Sequence, residues 1–243
     1  MITSKQNTFI KEIRSLKDKK QRDNLNLYIV EGIKAVNDAI LVLNSVYAVI
    51  GTDNAVNEIK DLSKAERVEI VSNQVFSSIS GEVSPQGVLA VIKKPTEKAP
   101  SGKAVLLDRV SDPANVGAII RSAAAFGFKD VYALSSADPF SPKSVRASMG
   151  GIFRVNVISG DREEILEKIN IPLVVADMDG QNLKDFKIAG DFCLVIGNEG
   201  SGVSQEVLSL SKSVVSIPMQ NDMESLNAGV SAGILMYELV NRR

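Results

Sequence analysis

The stretch "LDRVSDPANVGAIIRSAAAFGF", Leu107–Phe128, decides the fold class. It closes an apolar run, "AVLLD", that reads as a buried strand. A polar turn follows, and then small and apolar residues at helical spacing. Pro113 suits a first helical turn, and Asp112 or Asn115 can cap it. Arg121, six residues after Asn115, is expected on the second turn of that helix. Two later segments repeat the plan: "LVIGNEGSGVS" (Leu194–Ser204) and "IPMQNDMESLNAGVSAGILMYE" (Ile217–Glu238). Strand, polar loop, helix is how open α/β sheets build ligand sites at the carboxyl ends of their strands.

Working outward, strand-like runs recur at Ala104–Leu107, Asp130–Leu134, Phe153–Ile158, Leu173–Asp177, Phe192–Ile196 and Val214–Ile217. Helical stretches at Val116–Phe126, Lys143–Met149, Arg162–Lys168, Gln205–Ser211 and Ser225–Arg243 alternate with them. Near-continuous apolar strands between helices predict a parallel sheet covered on both faces. Upstream, "KKPTEKAPSGK" (Lys93–Lys103) has two prolines, four lysines and one apolar residue, and reads as an exposed linker. Before it, "LYIVEG", "SVYAVIG", "RVEIVS" and "GVLAVIKK" are short strands, with helices at Gly32–Leu43 and Asn54–Ser63. The expected organisation is a small α/β domain over 1–94, a linker over 95–103 and an α/β parallel-sheet domain over 104–243.

Composition narrows the chemistry. The chain has no histidine and one cysteine, Cys193, inside the apolar run "FCLVIG". A His-based triad is excluded, a zinc site is not expected, and Cys193 reads as a small buried hydrophobe. No apolar run reaches the roughly 18–20 residues of a membrane span, and the N-terminus lacks an apolar export signal. A cytoplasmic protein without membrane contact is expected. The net charge of −1 is uneven: residues 1–34 carry eight basic and four acidic side chains, a net of +4 against −5 for the rest. Lys17, Lys19, Lys20 and Arg22 are the centre of that basic stretch and candidate contacts to a phosphate backbone. A solvated helix face explains them equally well.

The second segment runs a buried strand into Gly197-Asn198-Glu199-Gly200-Ser201-Gly202. Three glycines in six residues make a tight turn whose backbone a ligand can approach. It is neither G-x-G-x-x-G nor a P-loop, so a dinucleotide dehydrogenase is disfavoured. A plain glycine-rich hairpin turn is the competing reading. In the third segment Ser225 is the N-cap candidate, and Ala228, Gly229, Ser231, Ala232 and Gly233 form a small-residue face.

In this order and spacing, the three segments resemble the SpoU (TrmH-type) family of RNA ribose 2′-O-methyltransferases, within the SPOUT superfamily. "SPKSVRASMGGIFRVNV" (Ser141–Val157) is similar to the family's segment between the first and second motifs. "YIVEGIKAVNDAI" and "SPQGVLAVI" resemble the RNA substrate-binding domain that many members carry. The resemblance implies a C-terminal trefoil knot, a homodimer with the active site at the subunit interface, and S-adenosylmethionine as cofactor with no metal. Matched position by position, Arg121, Asn115, Glu199, Ser225 and Asn227 take the family's catalytic places. Leu134, Gly197, Ile217, Met219 and Leu226 take the cofactor-binding places. The chain departs from the family in Arg121-Ser122-Ala123, where Arg-Thr-Ala is usual, and in "NAGVSAG"; neither change removes a group the chemistry needs.

Methyl transfer from a sulfonium is an in-line displacement, so alignment alone can be worth about 7–11 kcal/mol. A ribose 2′-hydroxyl needs its developing negative charge stabilised. Arginine is a poor proton acceptor, which favours Arg121 as an electrostatic clamp on the 2′-oxygen or an adjacent phosphate. The family's alternative makes this arginine the general base. Ribosomal RNA is the favoured substrate because of the N-terminal domain; transfer RNA, or a non-catalytic RNA-binding role, are the alternatives. The small-residue face of the last helix, with the first-motif helix, is expected to support the twofold interface.

Overall fold

The computed structural model describes residues 1–221 and 225–241. In chain order the elements are α1 (Thr8–Ser15), α2 (Lys19–Leu25), β1 (Leu27–Glu31), α3 (Ile33–Val42), β2 (Ala48–Gly51), α4 (Asp53–Val56), β3 (Val68–Ile70), α5 (Asn73–Ile79), β4 (Val88–Lys93), β5 (Ala104–Asp108), α6 (Pro113–Ala125), β6 (Asp130–Leu134), α7 (Pro142–Ala147), β7 (Asn156–Gly160), α8 (Arg162–Lys168), β8 (Leu173–Asn182), β9 (Cys193–Gly197), α9 (Gln205–Leu210), β10 (Ser213–Ser216) and α10 (Ala228–Asn241). They fall into two compact units. One is Met1–Thr96 with Phe140–Phe153; the other is Glu97–Pro139 with everything from Arg154 onward.

In the first unit the sheet runs β1-β4-β2-β3, with β4 antiparallel to both neighbours and β2 parallel to β3. Helix α1 lays Phe9, Ile10 and Ile13 on the core beside Leu27, Ile29, Ile50, Phe76 and Leu89, and Asn7 caps it. That 3–4 spacing of apolar residues is the amphipathic signature. The helix expected over Asn54–Ser63 stops at Val56. Asn37 of α3 takes the backbone beyond it, donating to Glu58 O at 3.2 Å and accepting from Lys60 N at 2.9 Å. A side chain that claims these backbone groups competes with the helical ladder.

The basic stretch divides in two. Arg22 is buried and donates Nη1 to Leu16 O and Lys17 O at 2.7 and 2.8 Å, so it braces the α1–α2 turn and is withdrawn as an RNA contact. Lys17 donates to Ser80 O, and Lys19 pairs with Asp23 one helical turn on. Lys20 is exposed. Phe140–Phe153, expected within the second domain, packs with the first unit. The Phe140 ring lies 5.1 Å from that of Tyr28, Lys94 sits over its face, and Arg146 of α7 pairs with Glu82.

The second unit is a six-stranded, all-parallel sheet in the order β10-β8-β9-β5-β6-β7. All five residues of β5 and of β6 are buried, as a sheet covered on both faces requires. Register places Asp108 between Leu134 and Gly197, so three central strands end side by side. Strand β8 is irregular: Val175 pairs with Val214 and Gln181 with Val215, so residues 176–180 are skipped. A Cβ on Gly180 would lie 2.6 Å from Val215 N, so only glycine lets the strand close after the excursion.

Helix α10 begins at Ala228 rather than Ser225, and Asn227 is its cap, accepting from Gly229 N and Val230 N. Residues 242–243, where the last helix was expected to end, lie outside the described residues. The small-residue face of α10 is used within the chain. A Cβ on Gly229 would stand 3.1 Å from Ala118 Cβ of α6, and Gly233 faces Ser122. Gly229 and Gly233 of that face thus pack on α6, the helix expected to share the twofold interface with it. The exposed face of α10 carries Val230, Ile234 and Tyr237 instead.

Candidate active site

The carboxyl ends of β5 and β9 and the N-terminus of α10 build one site. Asp112 caps α6 by accepting from Ala114 N, with Pro113 in the first turn. This start puts Asn115 in the first turn, buried, and Arg121 in the third rather than the second. After β9 the chain closes a tight turn in which Asn198 and Gly202 exchange both backbone hydrogen bonds. The Asn198 side chain accepts from Gly200 N and Ser201 N and donates to Arg109 O. The loop is thus the glycine-rich hairpin turn of the competing reading. Gly197 is needed by the chain itself: a Cβ there would lie 2.4 Å from Gly202 C and Val203 N.

Three residues from the three segments form a directed hydrogen-bonded chain. The backbone N–H of Gly229 donates to Asn227 Oδ1 at 3.0 Å. Asn227 Nδ2 donates to Asn115 Oδ1 at 2.9 Å, and Asn115 Nδ2 donates to Glu199 Oε1 at 2.8 Å. The other Glu199 oxygen accepts from Ser111 N and Ser111 Oγ. Burial pushes the Glu199 carboxyl up, but hydrogen bonds from Asn115, its own N–H and Ser111 outweigh that and hold it at about 2. An ionised Glu199 only accepts, so each amide has one orientation, and the chain of dipoles runs to the N-terminus of α10.

Beside this chain lies a cavity of about 540 Å³, within the usual range for a small-molecule site. Its walls include Ile196, Gly197 and Glu199 from the second segment, and Ile217, Met219, Ser225 and Leu226 from the third. Ala176, Asp177 and Met178 come from the skipped part of β8, and Leu235 from α10. Four of the five expected cofactor positions are therefore gathered. Leu134 is not: it is fully buried in the sheet core with Leu106, Tyr132 and Val195. Arg121 is exposed and makes no hydrogen bond or ion pair among the described residues. Ser225 lines the cavity, outside the Asn–Asn–Glu chain. Residues 222–224 of the expected third loop lie outside the described residues. Among the described residues no three His, Cys, Asp or Glu side chains gather as a metal site, and no helix is long and apolar enough to cross a membrane.

One supporting cluster escaped the sequence reading. Asp108 at the end of β5 is fully buried. Its Oδ2 accepts from Ser204 N at 2.6 Å, and its Oδ1 lies 3.5 Å from Arg109 Nε and 3.7 Å from Arg162 Nη2. Arg109, in left-handed backbone geometry with φ 62°, reaches Gly202 O at 3.2 Å. Both ends of the glycine loop are thus fastened to β5. The sequence signal was an ionisable pair closing an apolar strand, which is costly unless paired.

Known proteins share the sequence pattern and the fold of this chain. Residues 102–237 match the SpoU rRNA Methylase family and residues 7–90 the MRM3-like substrate binding domain. The chain is 30% identical to the 23S rRNA (guanosine(2553)-2'-O)-methyltransferase RlmP of Bacillus subtilis, over 98% of each chain. Among solved structures, the AdoMet-bound rRNA methyltransferase of Sinorhizobium meliloti superposes with a TM-score of 0.86 at 28% identity, covering 98% of this chain and 95% of that one. The SpoU methyltransferase AviRb of Streptomyces viridochromogenes, in complex with AdoMet, gives 0.86 at 27% identity over 97% of each chain. With its motif residues joined across the ends of one parallel sheet, the chain belongs to the SpoU rRNA methylase family.

Proposed function

We propose that this protein transfers a methyl group from S-adenosylmethionine to the 2′-hydroxyl of a ribose in ribosomal RNA. The observation that carries the reading is the Asn227–Asn115–Glu199 chain beside the cavity, which joins all three segments. The cavity suits the cofactor in kind: aliphatic walls from Ile196, Val215, Ile217, Leu226 and Leu235, backbone from the glycine loop, and acidic side chains for a cationic ligand. Bound there, S-adenosylmethionine supplies an electrophilic methyl on sulfur.

The chain's own residues do the rest. Ser111 and Asn115 hold Glu199 ionised, and Asn227 fixes Asn115 in turn, so Glu199 shapes the site and does not serve as a proton donor. Held at about 2, it is also too weak a base to take a hydroxyl proton. Arg121 remains the group for the developing charge. Its guanidinium clamps the 2′-oxygen or a neighbouring phosphate, leaving the proton to solvent or substrate phosphate.

The C-terminal segment is threaded as a trefoil knot, in keeping with the superposition on SPOUT-type structures. The first unit recognises RNA, supported by its match to a substrate-binding domain. Two copies pair through the exposed Val230, Ile234 and Tyr237 face of α10, an apolar row at one-turn spacing on a helix otherwise packed on α6. The protein works in the cytoplasm, where its RNA is. The test is methyl incorporation into ribosomal RNA from tritiated S-adenosylmethionine. Arg121→Ala should lower turnover by about 10²–10³ with cofactor affinity unchanged, and Arg121→Lys should restore part of it. Near-normal turnover of Arg121→Ala would overturn the assigned role.

A further inference from the structure

Among the described residues, the charged side chains lining the cavity are Asp177 and Glu199, both acidic. They are not equivalent. Glu199 is met by the donors of Asn115 and Ser111, which disperse its charge. Asp177 receives one hydrogen bond, from Asp179 N at 3.1 Å, and its other oxygen accepts none among the described residues. Its place is built: residues 176–180 are skipped in the β8–β10 register, and Gly180 closes the excursion against Val214 and Val215. A regular strand would have kept residue 177 in the ladder. The excursion holds a weakly compensated carboxylate at the cavity wall instead.

We propose that Asp177 is a specificity-determining residue that makes the cavity prefer the cationic sulfonium cofactor to its uncharged-sulfur product. This rests on the methyltransferase reading of the same site. In the transfer the carbon–sulfur bond breaks, a carbon–oxygen bond to the ribose forms, and the electron pair stays on sulfur. The 2′-hydroxyl proton goes to solvent or to a substrate phosphate. S-adenosylmethionine, with a sulfonium, an ammonium and a carboxylate, carries net +1; S-adenosylhomocysteine carries zero. A fixed negative charge in a partly enclosed cavity therefore attracts substrate more than product, which limits product inhibition without any contact made to the methyl group.

The test is calorimetry of S-adenosylmethionine, S-adenosylhomocysteine and sinefungin, whose amine restores the positive charge, on the full chain. Wild type should rank the two cationic ligands ahead of the neutral one by more than Asp177→Asn does. In Asp177→Asn the ratio of product to substrate Kd should fall by about 3- to 10-fold, as loss of one partly screened charge predicts. Asp177→Glu should keep the wild-type ratio, and Asp179→Asn, whose side chain is outside the cavity lining, should leave it unchanged. An unchanged ratio in Asp177→Asn, or an equal fall in Asp179→Asn, overturns the proposal while leaving the enzyme reading intact. A wild-type chain that binds none of the three ligands overturns both.

Discussion

Replacing Asn115 by Asp tests the hydrogen-bonded chain at its centre. The substitution changes a few atoms and no volume, yet it sets a carboxylate where the amide donates to Glu199 at 2.8 Å. Two costs arise. The bond to a charged acceptor is lost, worth about 1.5–3 kcal/mol. Like charges about 4 Å apart repel by up to about 4 kcal/mol at an effective dielectric near 20, less here because Glu199 is solvent-exposed. The folded protein can avoid both by protonating the new Asp, which then donates as Asn did.

The new carboxyl's folded pKa is thus raised above its unfolded value of about 3.9. Its stability contribution is present at low pH and lost as pH rises, with a slope of up to about 1.4 kcal/mol per pH unit. Urea unfolding of Asn115→Asp should show a penalty of about 2–4 kcal/mol at pH 7.5 that shrinks toward pH 5. Asn115→Ala, which only deletes the donor and acceptor, should show a penalty that is flat over this range, since native Glu199 stays ionised well below it. A pH-independent penalty in Asn115→Asp, or one no larger than 0.5 kcal/mol at pH 7.5, would refute the chain as drawn.

Other outcomes follow from the same geometry. Gly197→Ala should destabilise by about 1–3 kcal/mol and weaken cofactor binding together, because its Cβ would lie 2.4 Å from the Gly202–Val203 backbone; a neutral result by urea unfolding contradicts the close approach. Arg162→Met should loosen the loop held through Asp108 and Ser204, costing about 1–3 kcal/mol and raising the cofactor Kd; calorimetry showing wild-type affinity would remove the cluster from the site's support. Arg22→Ala should cost about 2–4 kcal/mol by stranding two carbonyls. Lys20→Ala should leave the melting temperature in place and reduce the salt dependence of RNA binding by about one phosphate contact. The reverse pattern in thermal and filter-binding assays would return Arg22 to the RNA surface.

Much of this architecture was legible in the chain because the signals were local. Six apolar runs gave six parallel strands, and helix α8 spans Arg162–Lys168 as expected because Asp161 caps it, with acids in its first turn and Lys168 in its last. The convergence of Asn115, Glu199 and Asn227 was legible too, though through resemblance to a family rather than through spacing. What the tertiary structure alone decided involves partners distant in sequence. Arg22 looks like any surface arginine until its carbonyl partners close around it. Leu134 ends its strand as a site residue would, yet its side chain faces the core. Gly197 reads as room for a ligand, and the occupant of that room is the chain's own backbone. The helix expected over Asn54–Ser63 fails because a side chain from α3 claims its backbone, and Asp177 reaches the cavity because β8 slips register against a strand formed some 35 residues later. Spacing along the chain fixes periodicity and caps, which depend on neighbours. Which buried groups meet across the sheet depends on register and packing, and these exist only once the sheet is assembled.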